Sequence, residues 1–242
     1  FNTLGASSDS KLLDIGCGRG RVAHHAATHT GAHVSGFNID SSQIENAADH
    51  AAETGMSDRL AFSQGDHHNP FAYPDNTFDG SYSFQAVWPF FKEHELDSVA
   101  KEIFRVLKPG AAYACVEYLL TPHFDRLDEE HLALHRLFMP TLAATQSNYP
   151  SVVTAALERA GFVIELSAPS VAPAWPITSQ KTDLIRFLRF VAVTLARLNL
   201  APPSWGDLLG NLLKGGGAWM DAEKRKLADL NWRIRARKPR GP

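Results

Sequence analysis

The chain has 242 residues, of which 44% are apolar, and this suits one large domain or one domain with a sizeable insertion. Its formal net charge of -2 argues against a dedicated nucleic-acid binder, which normally carries a basic excess. Cys17 and Cys115 are too few for a disulfide framework, so we expect a reducing compartment such as the cytoplasm. No cysteine–histidine cluster has the spacing of a zinc site, and we predict no metal.

The sequence carries no targeting or membrane-spanning signal. It starts without an initiator Met, signal peptide or transit sequence, which indicates a trimmed piece of something longer. The most apolar stretch, residues 181–200, contains Asp183, Arg186, Arg189 and Arg197. These charges argue against a transmembrane helix, so we expect a soluble or peripheral protein.

The first half of the chain alternates strands and helices. Strands are predicted over residues 11–15, 33–37, 60–63, 78–84 and 111–118, and helices over residues 21–30, 41–54 and 93–107. Gly31 ends the first helix, Ser41 or Ser42 caps the second, and Pro109-Gly110 stops the third. This alternation predicts parallel βαβ units in a doubly wound α/β sheet.

The second half has fewer strands and two long connecting segments. A helix is predicted over residues 150–160, a strand over 162–166 and a last strand over 232–237. The arginines of the last strand suggest a nucleic-acid patch or, as we prefer, the solvated face of an outer strand. Segments 120–149 and 167–229 exceed plain connections, which is typical of lids and binding elements, and Gly215-Gly216-Gly217 is predicted as a hinge or turn.

These elements predict three parts of the chain. Residues 1–166 form a cofactor-binding core, residues 167–229 a helical substrate-binding insertion or lid, and residues 230–242 the last strand of the core sheet.

A glycine-rich turn lies between the first strand and the first helix. Gly16, Gly18 and Gly20 remove side chains where the backbone turns tightly and approaches a ligand. Dehydrogenase fingerprints instead read G-x-G-x-x-G and bind a pyrophosphate. Asp14 precedes the first glycine by two residues, which suits a ligand that carries an ammonium group and no phosphate. The motif favours S-adenosylmethionine, with Asp14 acting through water or the loop; a purely structural turn is the alternative.

Later polar residues stand at strand ends in the order that such a ligand requires. Asn38 and Gln43 can bond ribose hydroxyls, and Asp66 can accept the adenine amino group. Because ligands bind at the carboxyl ends of parallel strands, these positions support one site. The predicted cofactor-binding residues are Asp14, Gly16, Cys17, Gly18, Gly20, Asn38, Ile39, Gln43, Gly65, Asp66, His67 and Phe84.

These motifs resemble those of the sterol C-methyltransferases. The matching stretches are 13–18, 36–38 with 43–44, 102–110, 116–118, the segment near Gly215 and the ending 236–239. They cover nearly the whole chain, and the Asn38/Gln43 pair and the C-terminal match are the more specific ones.

The resemblance implies a fold, a cofactor and a substrate class. The fold is the Rossmann-like seven-stranded sheet of class I methyltransferases, with a mainly helical insertion before the last strand. S-adenosylmethionine is the expected cofactor and a sterol or related lipid the expected acceptor. The expected location is cytoplasmic or peripheral, at the endoplasmic reticulum or another membrane, and homo-oligomer formation stays open.

Two departures from the family bear on the chemistry. Its aromatic N-terminal segment has no counterpart in this sequence. Gln85 stands where the family has a glutamate, in a stretch that is a few residues longer. A carboxylate stabilises a carbocation by charge, whereas an amide offers only a dipole. Two reactions therefore stay possible for this sequence. One is methylation of a side-chain alkene at C-24, and the other is methylation of a ring carbon such as C-4 beside a ketone.

Transfer of a methyl group to carbon also requires the loss of a proton, so we expect a base. Glu117 is the first candidate, and Tyr82, Gln85 and His94 follow it. Trp88, Phe90, Phe91 and Tyr118 are predicted to line the acceptor pocket, with ordinary core packing as the alternative.

Residues 184–191 predict a helix that is apolar over most of its circumference. Such a helix covers a lipid-like acceptor, meets a membrane surface with its arginines toward the headgroups, or packs against the core.

Two other functions stay open at this point. One is a small-molecule O-, N- or C-methyltransferase of specialised metabolism, and the other is a non-catalytic S-adenosylmethionine-binding module that acts through a partner. A nucleic-acid methyltransferase is disfavoured, because no Asn/Asp-Pro-Pro-aromatic motif follows the fourth strand and the chain has no basic excess.

Overall fold

The computed structural model describes residues 4–142, 144–169 and 182–241. Seven strands form one sheet in the order β3-β2-β1-β4-β5-β7-β6. They are β1 (Lys11–Ile15), β2 (His33–Asn38), β3 (Leu60–Gln64), β4 (Phe78–Phe84), β5 (Leu107–Leu120), β6 (Val163–Ala168) and β7 (Ala228–Arg237). The first five run parallel, and β7 is antiparallel to both of its neighbours. The predicted seven-stranded α/β fold is confirmed.

Helices cover both faces of the parallel part of the sheet. On one face lie α1 (Arg21–Thr30) and α2 (Ser41–Glu53), and on the other α3 (Leu96–Val106) and α5 (Pro150–Arg159). Leu12 and Leu13 are adjacent in sequence, yet each is fully buried in a different one of these two clusters. Alternating side chains of a strand point to opposite faces, so β1 is apolar on both sides because both sides are covered.

Several predicted boundaries differ from the structure, among them the start of α2 and both ends of α3. Asp40, not Ser41 or Ser42, caps α2: its Oδ1 accepts hydrogen bonds from the backbone of Ser42 at 2.8 Å and Gln43 at 3.3 Å. The helix predicted over 93–107 begins as a 3₁₀ turn, Glu93–Glu95. It ends at Val106, because the chain already enters β5 at Leu107, ahead of Pro109-Gly110.

The last strand is longer and more central than its sequence suggests. β7 starts at Ala228 and lies between β5 and β6, so it is not an outer strand. Its alternating arginines lie on one face, where Arg235 Nε is 2.9 Å from Glu165 Oε2 and Arg237 also pairs with Glu165. These two arginines are therefore matched by an acid of the neighbouring strand.

The long segments contain α4 (Glu129–Phe138), α6 (Thr182–Arg197) and α7 (Pro203–Lys224). Gly215-Gly216-Gly217 was expected to form a hinge or turn, but it lies inside α7. A Cβ atom at Gly215 would stand 2.0 Å from Thr141 Cγ2, so glycine permits close packing of α7 on the segment that follows α4. Part of the predicted insertion, residues 170–181, lies outside the described residues, and its division from the core stays a prediction.

Within the described residues, no helix combines the length and apolarity that crossing a bilayer requires.

Candidate active site

The glycine turn after β1 adopts backbone conformations that side chains disfavour. Gly16, Gly18 and Gly20 have φ angles of 74°, 52° and 70°. A Cβ at Gly16 would lie 2.4 Å from the Cβ of Ala86, which belongs to the segment after β4. The backbone N–H groups of Gly16 and Cys17 both donate to the Phe37 carbonyl at 3.0 Å. The turn is thus fixed to β2 and held in direct contact with the end of β4.

Asp14 lies directly beneath this turn and is buried. Its Oδ2 has no hydrogen-bond partner within the described residues. Burial raises the pKa of Asp14 to about 7, although a hydrogen bond with the Tyr82 hydroxyl acts in the opposite direction. A buried carboxyl group with an unused oxygen is stabilised by a cation nearby. The arrangement therefore fits a ligand that brings a positive charge to the turn.

The expected ribose residues stand beside the same turn. Gln43 directs its side-chain Oε1 over Gly18, 3.2 Å from where a Cβ would be. Asn38 ends β2 and its carbonyl accepts a hydrogen bond from Gly65 N at 2.9 Å. Ile39 follows with its side chain 59% exposed. The ends of β2 and β3 are thereby joined next to the glycine turn, with an apolar side chain open to a ligand.

The segment after β3 presents Asp66 and two histidines. Asp66 Oδ1 accepts from the backbone N and from Nδ1 of His68, both at 2.9 Å. Burial works to raise the pKa of Asp66, but these hydrogen bonds outweigh it and lower the pKa below its usual value. His67 is partly buried, which lowers its pKa to about 4, and its ring centroid lies 5.0 Å from that of Phe91. Asp66 is therefore an ionised acceptor and His67 a neutral ring.

Ligand atoms of Asp66, His67 and His68 lie within 4.8 Å of one another, close enough for a metal ion. We assign no metal there, because Asp66 and His68 already satisfy each other.

Beyond β4 the chain turns sharply at Gln85, whose φ is 53°. Its Nε2 donates to the Leu230 carbonyl at 2.9 Å, and this ties the end of β4 to β7. Phe84 is 49% exposed and borders a cavity of about 440 Å³ between α1, the end of β4 and the middle of β5. Tyr82 lines the same cavity. An apolar space therefore opens beside the strand that contacts the glycine turn.

Glu117 is the centre of a buried hydrogen-bonded chain. Tyr113 OH lies 2.7 Å from Ser83 Oγ, which in turn donates to Glu117 Oε1 at 2.5 Å. Val87 N lies 3.4 Å from the same oxygen, while Oε2 has no hydrogen-bond partner within the described residues. Burial raises the pKa of Glu117 to about 7, although the hydrogen bonds from these donors act to lower it. Near neutral pH this carboxyl group can accept or hold a proton.

The predicted acceptor residues occupy different places. Trp88 and Phe91 are buried in the main core and Phe90 packs against it, whereas Tyr118 belongs to a separate cluster with Phe138 and Trp219. His94 is exposed on the turn before α3, and its Nε2 lies 3.8 Å from Glu95 Oε1. Contact of any of them with an acceptor stays a prediction.

Sequence reasoning missed Ser83, Tyr113 and Ala86. Strand alternation offered a signal for one of them, since Tyr113, Cys115 and Glu117 share a face. No pattern signals that Ala86 meets Gly16, because that contact depends on the turn at Gln85.

Comparison with known proteins shows what this chain is similar to. Residues 12–110 match the family model described as a methyltransferase domain. A sterol 24-C-methyltransferase of Gibberella zeae is 30% identical over an alignment that covers 98% of this chain and 68% of that protein.

Solved structures share the fold. Geranyl diphosphate C-methyltransferase from Streptomyces coelicolor A3(2) has a TM-score of 0.72 at 14% identity, covering 98% of this chain and 76% of that one. The [4+2]-cyclase SpnF has a TM-score of 0.68 at 25% identity, covering 97% and 76%.

The fold, the glycine turn and these matches define an S-adenosylmethionine-dependent class I methyltransferase. Within that class, the chain belongs to the sterol C-methyltransferase family, as the sequence motifs suggested. Its reaction class is methyl transfer to carbon.

Proposed function

We propose that this enzyme methylates a carbon of a sterol or related triterpenoid lipid, either C-24 of the side chain or a ring carbon such as C-4. The observation that carries the proposal is the 30% identity with a sterol 24-C-methyltransferase over 98% of the chain. That likeness extends past the cofactor half into the helical segment before β7. The insertion that we propose to bind the acceptor is thus included in the likeness.

The face of α7 supports an apolar acceptor. Trp205, Leu208, Leu212, Gly215, Trp219 and Ala222 follow one another at alternating spacings of three and four, which places them on one face of the helix. The last three are buried against α4 and the end of β5. The first three continue the same face but are 55%, 60% and 42% exposed. We assign this uncovered part of the face to the acceptor lipid, within the proposed insertion.

The cofactor supplies an activated methyl group when it is bound, and the chain has to hold it and align the acceptor. The glycine turn brings bare backbone close to it. Asp14 offers negative charge beneath the turn, Gln43 and Asn38 stand where ribose hydroxyls are bonded, and Asp66 accepts from the adenine amino group. Ile39, His67 and Phe84 add apolar or neutral surface around the same edge of the sheet.

Glu117 is proposed as the group that takes the proton lost from the methylated carbon. A pKa of about 7 suits a base at neutral pH, and Oε2 is uncommitted. Glu117 is fully buried beneath the segment that contains Val87, so acceptor binding has to displace that segment for contact. Gln85 is proposed to shape the pocket through its bond to Leu230.

The test is incubation with labelled S-adenosylmethionine and a panel of sterols that differ in the side-chain alkene and in a ring ketone. Mass spectrometry and product NMR then locate the new methyl group. Label on a sterol carbon is expected, and the favoured panel member distinguishes C-24 from a ring position. Transfer only to phenols or amines would replace the proposal with a small-molecule methyltransferase. Cofactor binding without transfer to any lipid would indicate a non-catalytic module.

A further inference from the structure

The indole N–H of Trp219 is a buried donor without an acceptor. Trp219 belongs to α7 and is only 4% exposed. Its Nε1 is shielded from solvent and has no hydrogen-bond partner among the residues that the structure describes. A donor that has lost its water and gained no acceptor destabilises the protein. A ligand oxygen that reaches Nε1 removes this penalty, and the gain appears as affinity.

The side chains around Trp219 satisfy one another and leave its N–H unused. The Trp219 ring makes edge-on contacts with Tyr118 and Phe138, at centroid distances of 5.7 and 5.2 Å. The Tyr118 hydroxyl lies 3.0 Å from Ser147 Oγ, which is itself 2.7 Å from His135 Nε2. The hydroxyl groups of this cluster are thus paired with other groups. An aromatic face is a weaker acceptor than an oxygen atom, so the indole N–H keeps its capacity for a ligand.

Trp219 stands at the buried end of the α7 face that we assign to the acceptor lipid. Leu212, which is 42% exposed, is the nearest exposed apolar residue of that face. Gly216 lies between them, four residues after Leu212 and three before Trp219, and therefore on the same side of the helix. A Cβ atom at Gly216 would have no atom within 4 Å. Open space thus borders the helix between the exposed face and the buried indole.

We propose that Trp219 Nε1 donates a hydrogen bond to the hydroxyl or ketone oxygen of the acceptor lipid. The inference rests on the proposed function and deepens it, because it names the protein atom that recognises the polar end of a sterol. The apolar body of the lipid lies on the exposed part of the α7 face. Its oxygen passes Gly216 and displaces the side chains that cover Nε1. Because Trp219 lies inside a hydrophobic cluster, a neutral oxygen is buried there at a lower cost than an ionised group.

The experiment compares two sterols that differ only in this oxygen, cholesterol and its 3-deoxy analogue cholest-5-ene. Equilibrium binding of each radiolabelled sterol to the full chain is measured with S-adenosylhomocysteine present. That nucleoside has no methyl group to transfer, so the measurement reports binding alone. The wild type is expected to bind cholesterol about tenfold more tightly than the deoxy analogue. Trp219→Phe keeps an aromatic ring but has no N–H, and is expected to bind both sterols equally.

Trp232→Phe is the matched control. Trp232 is also buried, at 8% exposure, but its Nε1 donates to Ser167 Oγ at 3.1 Å. The same substitution there removes an N–H that already has a partner, so the tenfold preference for cholesterol should persist. Unfolding without ligand adds a second readout. Trp219→Phe should unfold at a higher temperature than Trp232→Phe, because only the latter leaves a protein acceptor without its donor.

A pair of glycine variants tests the route without changing the buried cluster. Gly216→Leu fills the open space beside Trp219 and is expected to weaken cholesterol binding about tenfold, to the affinity of the deoxy analogue. Gly217→Leu also meets no atom within 4 Å, but its side chain points to another side of the helix. It should bind cholesterol as the wild type does.

The outcomes separate this inference from the proposed function. Binding of neither sterol by the wild type would contradict both. Equal binding of the two sterols by the wild type would overturn the role of Trp219 and leave a sterol acceptor in place. A Trp219→Phe variant that loses affinity for both sterols to the same extent would also overturn it, because that result indicates a structural role alone.

Discussion

Asp14 and Glu117 are two buried carboxyl groups in different regions of the same sheet. Asp14 interacts with Tyr82 and Glu117 with Ser83, and because these are consecutive residues of β4 the two acids lie on opposite faces. Asp14 has a single side-chain donor, the Tyr82 hydroxyl. Glu117 Oε1 accepts hydrogen bonds from Ser83 and from the backbone of Val87. Burial nevertheless raises both pKa values to about 7.

The different surroundings of Asp14 and Glu117 suit two different roles. Asp14 has few donors and stands under a bare glycine turn, so its ionised form gains most from a cationic ligand. Glu117 is held by donors on one oxygen and keeps the other uncommitted, which is the arrangement of a base whose position is fixed. The pKa values of both acids are thus raised to about 7 in two different environments, and substitution of each acid tests its assigned role.

Substitution of Glu117 is expected to have the largest effect. Glu117→Gln keeps an acceptor for Ser83 and Val87 but removes the proton acceptor, so kcat should fall by roughly 100- to 10,000-fold. The wild-type rate should rise with pH through about 7 as Glu117 ionises, and the variant should lose this rise. Initial rates across pH measure both. An unchanged rate profile in the variant would assign Glu117 to structure alone.

The glycine turn offers the next largest effect. Gly16→Ala combines a positive φ with a Cβ 2.4 Å from Ala86, so unfolding free energy should fall by about 3 kcal/mol or more, and cofactor binding should be lost. Gly55→Ala is the matched control: φ is 67°, but nothing lies within 4 Å of the new Cβ. It should cost only about 1 kcal/mol. Equal losses in urea unfolding would mean that contact with Ala86 is unimportant.

Asp14→Asn should weaken cofactor binding by about 2 kcal/mol at pH 8, because a charge-assisted interaction is lost. In the wild type, affinity should increase as pH rises through about 7, since the ionised carboxylate prevails above its pKa. The variant should show no such increase, whereas Glu117→Gln should keep it. Calorimetric titration at several pH values makes the comparison, and identical pH dependence in Asp14→Asn would contradict the assignment.

Asp66→Ala should weaken cofactor affinity by roughly 1–3 kcal/mol, as for the loss of one hydrogen-bond partner. Asp58→Ala removes the same charge from an exposed position just before β3 and serves as the control. The two variants should differ in calorimetric affinity. If both bind as the wild type does, Asp66 does not accept from the adenine.

Local patterns predicted the parallel half of the fold well. β1 is an apolar run ended by glycines, α1 ends at Gly31, and β4 follows a loop rich in turn formers, and the structure has all three where the sequence placed them. The predictions that failed involve distant contacts: Gly215 lies inside α7 with Thr141 packed against it, and β7 is not an outer strand because β6 pairs with its far edge. The site shows the same contrast between local and distant information. Glu117 was predicted from its own strand, whereas its partner Ser83 belongs to a different strand and was missed.

The most direct test of the central claim is calorimetry of the full chain with S-adenosylhomocysteine, the demethylated cofactor, against a nicotinamide dinucleotide. A glycine turn that lacks a phosphate fingerprint and lies over a buried acid predicts saturable binding of the first and none of the second. Tight binding of the dinucleotide with no heat from the nucleoside would contradict the account.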